Sequence, residues 1–355
     1  MNQFYTTTIS KITRITRDAV NIEIAYPPHV VDKFNFKAGQ YLVIRIPDFD
    51  KSEHRSYSIS SAPNEQLLRI GLKKLEGGLI STHLVERAKA GDSIDIMPPQ
   101  GSFILPETPS LKKIVAFVAG SGITPVLSII KDQLSKSNEN KILLMFGNKT
   151  SNDRMYFEEL KELENKFPSG FEVIHVYSRE TTGMKNFEGR IDADKISNWK
   201  DYLFEIKNTD AFLLCGPGSM VVSLESALLQ SGVRPEKIYT ELFTSPIEGT
   251  NITPAEVPEK ASDYVLEYKL NGKWHTIKTG TNHDVLLDIG INHGLDLPYS
   301  CKSGVCSTCQ AKLLSGEVKM DNNYVLSDKE LKQGYILTCQ SHAMTAAIKV
   351  DYDMK

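Results

Sequence analysis

The feature that most constrains this chain is a group of thiols near its C-terminal end. Cys301, Cys306 and Cys309 give the spacing C-x4-C-x2-C inside Pro298–Gln310, PYSCKSGVCSTCQ, and Cys339 adds a remote fourth sulfur. That spacing suits a 2Fe–2S cluster: two bridged irons need two thiolates each, so one short loop supplies most ligands and a distant strand closes the last position. Lys302, Ser303, Gly304, Ser307 and Thr308 are small or polar, and Gly304 can take positive φ, which lets N–H groups turn toward the sulfurs. A four-cysteine zinc site is the rival reading. Such sites usually pair two short knuckles, whereas this loop has one knuckle and an x4 step. Disulfides fit less well, because five cysteines leave one over. The opening residues, MNQFYTTTISKITRIT, have no apolar leader core, and no run approaches the ~20 apolar residues of a membrane span. A cytoplasmic protein is expected.

Length and charge narrow the partners. At 355 residues, 41% hydrophobic and 24% charged, the chain has room for two or three domains. A formal net charge of −3 supplies no basic field to hold nucleic acid or an anionic membrane, so partners must be met at specific sites.

The first hundred residues alternate short apolar strands with Gly, Pro and Asp turns: Val20–Ile24, Tyr41–Ile46, Tyr57–Ile59, Leu67–Leu72 and Ser93–Met97. This cadence predicts a small antiparallel β-barrel over 1–107. Within it, a strand through Arg55-Ser56-Tyr57-Ser58 places Arg55 and Tyr57 on one side of the pleat and Ser56 and Ser58 on the other. A cation beside an aromatic plate suits a phosphate and a ring, and a surface cation–π pair would look the same. Gly77-Gly78 followed by Ser81-Thr82 at a helix start offers N–H groups and hydroxyls to an anion, with a simply capped helix as the alternative.

From Lys112 the pattern becomes strands alternating with helices, which predicts a doubly wound parallel α/β sheet over 108–244. Gly120-Ser121-Gly122-Ile123-Thr124-Pro125 closes its first strand. Pro125 replaces the third glycine of G-x-G-x-x-G, so the usual dinucleotide fingerprint is not met, and proline is expected at the first helical position. Cys215-Gly216-Pro217-Gly218 closes the fourth strand. In such sheets the first and fourth strands flank the crevice where strand order reverses, so both glycine turns would face one nucleotide. Residues 245–261, rich in proline and poor in large apolar side chains, read as a linker, and 262–355 as a third domain carrying the cysteine loop.

Arg55-x-Tyr57-Ser58, Gly78-x-x-Ser81, PPQGSF, GSGITP and CGPGSM, in this order, resemble the ferredoxin–NADP reductase superfamily. The resemblance implies that Arg55 holds a flavin pyrophosphate, cradled also by Gly78, Ser81 and Thr82, that Tyr57 stacks on the isoalloxazine, and that Ser58 sits near N5. It also implies a pyridine-nucleotide cleft lined by Gly120, Gly122, Thr124, Pro125, Gly216 and Pro217, with Cys215 against the nicotinamide, Glu241 beside it and Phe243 near the flavin. Ser178-Arg179 matches the Ser-Arg that holds the 2′-phosphate of NADPH in plant-type members, and Lys149 follows the second strand. Glu180 and Asp153 lie close by and leave NADH open. The third domain resembles the β-grasp fold of plant-type ferredoxins. Flavin barrel, nucleotide domain and C-terminal ferredoxin together resemble the reductase component of a multicomponent oxygenase. By that resemblance the chain carries electrons from NADPH through FAD and 2Fe–2S to an oxygenase or hydroxylase component of aromatic degradation, with Ser58, Cys215 and Glu241 at the hydride-transfer site. Phthalate dioxygenase reductases share the domain order but use FMN; FAD is the expectation here. The competing class is a non-enzymatic 2Fe–2S electron carrier or redox-responsive binding module with vestigial flavin motifs, against which the intact Arg55, Tyr57, Ser58 and glycine turns argue; the reductase of a different ring hydroxylase is the other alternative.

Overall fold

A computed structural model describes residues 3–27, 29–49, 53–108, 111–245, 264–280 and 284–354. Its first sheet contains β1 (Tyr5–Thr16), β2 (Ala19–Ile24), β3 (Tyr41–Arg45), β4 (His54–Ser58), β5 (Leu68–Lys73) and β6 (Ser93–Ile96), with α1 (Leu79–Glu86) between β5 and β6. The order is β4-β3-β6-β1-β2-β5, and its pairings are antiparallel. A bridge between Ile59 and Ile70, with the Ser60 N–H donating to the Arg69 carbonyl at 2.7 Å, joins the two edges into a barrel. Alternate side chains such as Ile22, Ile24, Leu42, Ile44 and Ile96 point inward and form its core. The sequence reading overlooks β1, because its threonines and lysine form an outward polar face that hides the period-two signal.

The second sheet contains β7 (Lys113–Ala119), β8 (Lys141–Asn148), β9 (Phe171–Tyr177), β10 (Ala211–Gly216) and β11 (Ile238–Leu242), separated by α2 (Ile123–Lys136), α3 (Phe157–Lys166), α4 (Ala193–Trp199) and α5 (Gly218–Gln230). All strands are parallel in the order β11-β10-β7-β8-β9, so the chain winds one way from β7 to β9 and the other from β7 to β11. Pro125 does not occupy the first helical position. A 3-10 turn over Gly120–Gly122 runs directly into α2, which makes Pro125 its third residue. It still lies in the first turn, where an N–H has no intrahelical acceptor.

The third sheet contains β12 (Tyr264–Leu270), β13 (Lys273–Thr279), β14 (Gln310–Ser315), β16 (Tyr335–Leu337) and β18 (Ala347–Asp351) in the order β13-β12-β18-β14-β16. The short strands β15 (Val318–Met320) and β17 (Ser341–Ala343) pair with each other, and α6 (Leu286–Asn292) and α7 (Asp328–Lys332) complete the domain. Apart from its first residue, Ser245, the expected linker over 245–261 lies outside the described residues.

Barrel and nucleotide sheet share a polar seam. Lys131 on α2 reaches Glu65 at 2.7 Å and Glu159 on α3 at 3.0 Å, and Glu159 also binds Arg69 of β5 at 2.7 Å. The Tyr156 hydroxyl donates to Asn21 Oδ1 of β2 at 2.6 Å, and Ser128 donates to the Ser61 carbonyl at 2.6 Å. Tyr156 holds a left-handed backbone (φ 61°), a conformation a bulky residue keeps only where surrounding contacts enforce it. No helix among the described residues is long and apolar enough to cross a membrane.

Candidate functional site

The ends of β4, β10 and β11 meet at one cleft. Cys215 and Glu241, 26 residues apart, are lateral neighbours in the β10–β11 register. The Ser58 hydroxyl lies 3.5 Å from Glu241 Oε2, and the Cys215 thiol lies 3.8 Å from the same oxygen. Both are long contacts, at the outer limit for their donors. Glu241 is half-buried. Burial pushes its pKa up to about 8, with the Cys215 and Ser58 contacts opposing the shift. Burial, and then Glu241, push the Cys215 thiol up as well. Burial thus favours the protonated form of both the carboxyl and the thiol.

This shift has a sign in stability. Between the ordinary value of 4.5 and about 8, the folded chain holds a proton on Glu241 that the unfolded chain has released. The contribution is fully present below pH 4.5 and is lost as pH rises through 8. Urea unfolding of the flavin-free protein should show wild type losing stability relative to Glu241→Gln across that window, by at most roughly 1.4 kcal/mol per pH unit. Parallel pH curves for the two proteins would contradict the raised carboxyl.

The two glycine turns touch back to back. A Cβ at Gly122 would lie 2.5 Å from the Cys215 carbonyl oxygen and 2.9 Å from the Gly216 nitrogen, so only glycine lets the end of β10 approach α2 this closely. Gly120, at φ 55°, instead faces open space, and Gly216 accepts the N–H of the exposed Phe243 at 2.9 Å. Thr124 is buried and turned back onto the Ser121 carbonyl at 3.0 Å rather than into the cleft. At the β8 and β9 tips, the Ser178 and Arg179 N–H groups bond to the Asn148 and Lys149 carbonyls at 2.9 and 2.8 Å. Ser178, Arg179 and Lys149 are all exposed there.

On β4, Arg55 pairs with Glu53 at 3.1 Å and donates to the His54 carbonyl, while Tyr57 lies on its side of the pleat, half-buried. Gly78 caps α1. Ser81, in the first turn, accepts the Leu75 N–H at 3.1 Å, and Thr82 follows with its N–H on the Gly78 carbonyl. A cavity of about 360 Å³ opens between Lys113, Lys141, Phe171 and Tyr202. It lies at the N-terminal ends of the parallel strands, away from the end where such sheets bind nucleotides.

The four predicted sulfurs converge. Cys301 contacts Cys306 and Cys339, and Cys339 also contacts Cys309. Hydrogen bonds from Cys306 and Cys339 hold the Cys301 thiol far below its ordinary value, and sharing protons with Cys301 drives Cys306 and Cys339 upward. The Ser303 N–H adds a bond to Cys301 Sγ at 3.4 Å from a loop turned by Lys302 and Gly304, both at positive φ. Among the described residues no three His, Cys, Asp or Glu side chains surround a single ion position. The sulfur contacts run in one chain, Cys306 to Cys301 to Cys339 to Cys309.

The cysteine loop faces the other two domains. The Tyr41 hydroxyl of β3 lies 3.0 Å from Thr308 Oγ1, the Ser56 N–H donates to Ser300 Oγ at 2.7 Å, and the His54 and Tyr299 rings lie 4.2 Å apart. Burial, then Arg45 and Arg55, hold His54 neutral with a pKa of about 3. Val305 is buried in the apolar cluster that contains Phe117, Trp199 and Leu242 of the nucleotide domain. Sequence reasoning missed Tyr41, which has the look of a strand core position, and took Thr308 only as a small polar loop residue.

Comparison with known proteins accords with this arrangement. Residues 6–104 match the oxidoreductase FAD-binding domain, 117–225 the oxidoreductase NAD-binding domain, and 268–344 the 2Fe-2S iron–sulfur cluster binding domain. The chain is 34% identical to one of the subunits of 1,2-phenylacetyl-CoA epoxidase from Escherichia coli K12, over 100% of its own length and 99% of that protein. It is 31% identical to the ferredoxin reductase component of 3-ketosteroid-9-alpha-monooxygenase from Rhodococcus rhodochrous, over 97% and 96% of the two chains. The chain belongs to the family of oxygenase reductase components. Phthalate dioxygenase reductase shares the reductase fold, with a TM-score of 0.61, 98% coverage of both chains and 21% identity. The reductase is thus an NAD(P)H-dependent oxidoreductase whose domains take FAD, a nicotinamide nucleotide and a 2Fe–2S cluster. Its residues fit these groups: four sulfurs linked in one run of contacts, and two glycine turns packed so tightly that a side chain between them is excluded.

Proposed function

We propose that this reductase takes a hydride from NADPH and delivers single electrons to an oxygenase of aromatic breakdown in the cytoplasm, with phenylacetyl-CoA epoxidase as the favoured acceptor. The observation that carries the reading is the meeting of Ser58, Cys215 and Glu241 at one cleft, next to a seam that holds the cysteine loop. Bound FAD accepts two electrons together and gives them up singly, and a 2Fe–2S cluster carries one at a time.

The chain's own groups supply position. Tyr57 offers a ring for the flavin to stack on, Arg55, Gly78, Ser81 and Thr82 hold its pyrophosphate, and Cys215 supports the nicotinamide from the β10 end. Glu241 keeps its proton at Oε, so no negative charge opposes hydride passage, and no general base is needed because the reaction depends on contact and alignment. Cys301, Cys306, Cys309 and Cys339 hold the cluster. Domain limits of 1–107, 108–244 and 262–355 accompany this reading. The similarity to the 3-ketosteroid-9-alpha-monooxygenase component, at 31% identity, makes a different ring hydroxylase the second candidate acceptor.

The preference for NADPH rests on the β8 and β9 tips. Glu180, whose charge opposes a 2′-phosphate, accepts the Ser151 N–H at 2.6 Å, and Asp153 accepts the Thr150 hydroxyl at 2.7 Å. Arg179 and Ser178 stay exposed. Arg179→Ala should lower kcat/KM for NADPH by roughly one to two powers of ten and leave NADH nearly unchanged. Equal losses with both nucleotides would remove Arg179 from 2′-phosphate recognition.

Anaerobic titration with NADPH and, separately, NADH, followed by visible absorbance and paired with flavin extraction, tests the whole reading. Bleaching of extracted-as-FAD flavin and then of the cluster is expected, with NADPH the better donor. A cluster spectrum that neither nucleotide bleaches would leave a simple electron carrier.

A further inference from the structure

β4 is the outermost strand of its sheet order, and an outward N–H on such a strand needs an acceptor. Ser56 finds one in another domain: its N–H donates to Ser300 Oγ at 2.7 Å, and Ser300 donates onward to Ser56 Oγ at 2.9 Å. One strand inward, Tyr41 is the register partner of Ser58, so the two side chains leave the same face of the β3–β4 ladder. Tyr41 thus starts beside the candidate hydride site. Its hydroxyl ends 3.0 Å from Thr308 Oγ1, between Cys306 and Cys309. Both residues are buried, Tyr41 at 5% exposure and Thr308 at 0%.

The sequence around the ring is shaped to hold it there. Gln100 of the PPQGSF stretch pairs both ways with the Tyr41 backbone, at 2.8 and 2.9 Å. The next residue, Gly101, sits at φ 112°, and a Cβ there would come within 3.0 Å of the tyrosine ring. Burial, with Cys306 and Glu241 close by, keeps the phenol protonated. A tyrosine fixed in this way presents one rigid donor–acceptor tip to a loop that belongs to a separate domain.

We propose that Tyr41 is a positioning residue for electron transfer from flavin to cluster: through its hydrogen bond to Thr308 it sets the seat of the cysteine loop against the flavin side of the barrel. The inference rests on the reductase reading above. Two electrons enter from NADPH as one hydride. They leave the flavin singly, each reducing the cluster by one, with the acceptor protein emptying the cluster between passes and the hydride's proton released once the second electron has gone. The O–H bond of Tyr41 stays intact throughout, because the residue aligns the partners and exchanges nothing with them.

The test uses full-length holoprotein, wild type, Tyr41→Phe, Thr308→Val and the double variant, each checked for flavin and cluster content by its spectrum. Hydrogen–deuterium exchange at the Ser56 amide reports the seat directly. Anaerobic stopped-flow mixing with NADPH separates flavin bleaching from cluster bleaching. In Tyr41→Phe, flavin bleaching should keep its rate, while Ser56 exchange accelerates and cluster bleaching slows, each by about 5- to 100-fold, as for loss of one buried hydrogen bond. Thr308→Val should do the same; Tyr41 also bonds Ser307 and Thr308 also bonds Cys306, so the double variant should lose somewhat more than either single one but well short of the product of the two losses, because the Tyr41–Thr308 contact is shared. Unchanged exchange and cluster bleaching in Tyr41→Phe would overturn the proposal, as would losses that multiply in the double variant. Faster exchange with unchanged cluster bleaching would also overturn it, by revealing a contact that does not set the transfer. If NADPH fails to bleach the wild-type flavin, the reductase reading falls, and Ser56 exchange still judges the seat.

Discussion

Cys306→Ser should yield a protein that NADPH still bleaches at the flavin but that carries almost no iron or acid-labile sulfide, where wild type carries the two of each that a 2Fe–2S domain holds. The reason is that a 2Fe–2S cluster needs four thiolates, two to each iron. Cys301, Cys306, Cys309 and Cys339 are drawn together by contacts that run from Cys306 through Cys301 and Cys339 to Cys309. Loading the cluster requires all four as thiolates and releases their protons, so the metal must supply the free energy of ionisation. Serine at 306 removes a soft ligand and puts in its place an oxygen whose ionisation is far less favourable. Nothing in the Ser58, Cys215 and Glu241 group depends on that sulfur, since these residues stand on β4, β10 and β11 of the other two domains. Iron and sulfide analysis beside anaerobic NADPH titration would check both halves. Iron at the wild-type level in the variant, or zinc in freshly isolated wild type, would defeat the assignment.

How much of this site can be read in the sequence depends on what each residue has to do. The cysteines are legible because thiolate chemistry fixes both residue type and spacing within one loop. The doubly wound sheet is legible because its buried strands are continuous apolar runs, and strand order then places the GSGITP and CGPGSM turns together. The pairing of Cys215 with Glu241 is not, because it depends on the parallel register of β10 and β11, which no local pattern specifies. Contacts between domains are hardest of all. Tyr41 and Thr308 are 267 residues apart, and Lys131 and Glu65 are 66 apart, yet each looks ordinary in its own segment. Lys131 reads as a solvated helix position and is 8% exposed, since Glu65 and Glu159 compensate its burial. Pro125 shows a smaller failure of the same kind: the residue type pointed to a first turn, but not to the 3-10 turn that shifts it to the third position.

Gly122→Ala should cost more than a glycine-to-alanine change in a helix-opening turn ordinarily does. The new methyl would meet the Cys215 carbonyl oxygen at 2.5 Å and its carbon at 2.7 Å. These are backbone atoms of a central strand, tied on one side to β7 and on the other to β11, so no flexible side chain can yield. Either α2 withdraws or the end of β10 shifts. Withdrawal of α2 is resisted by Ser128 on the Ser61 carbonyl and by Lys131 between Glu65 and Glu159, contacts that lock this helix to the barrel. The strand end therefore takes much of the displacement, and Cys215 carries its register neighbour Glu241 with it. Overpacking of this kind destabilises by about 1–3 kcal/mol, and a misplacement approaching 1 Å costs a reaction that depends on alignment roughly a hundredfold. Anaerobic mixing with NADPH should accordingly show flavin bleaching slowed by about that factor. The cysteine loop keeps its ligands, so dithionite should still bleach the cluster fully. Wild-type rates of flavin bleaching in Gly122→Ala would mean that the close approach of the two glycine turns does not set the position of the nicotinamide.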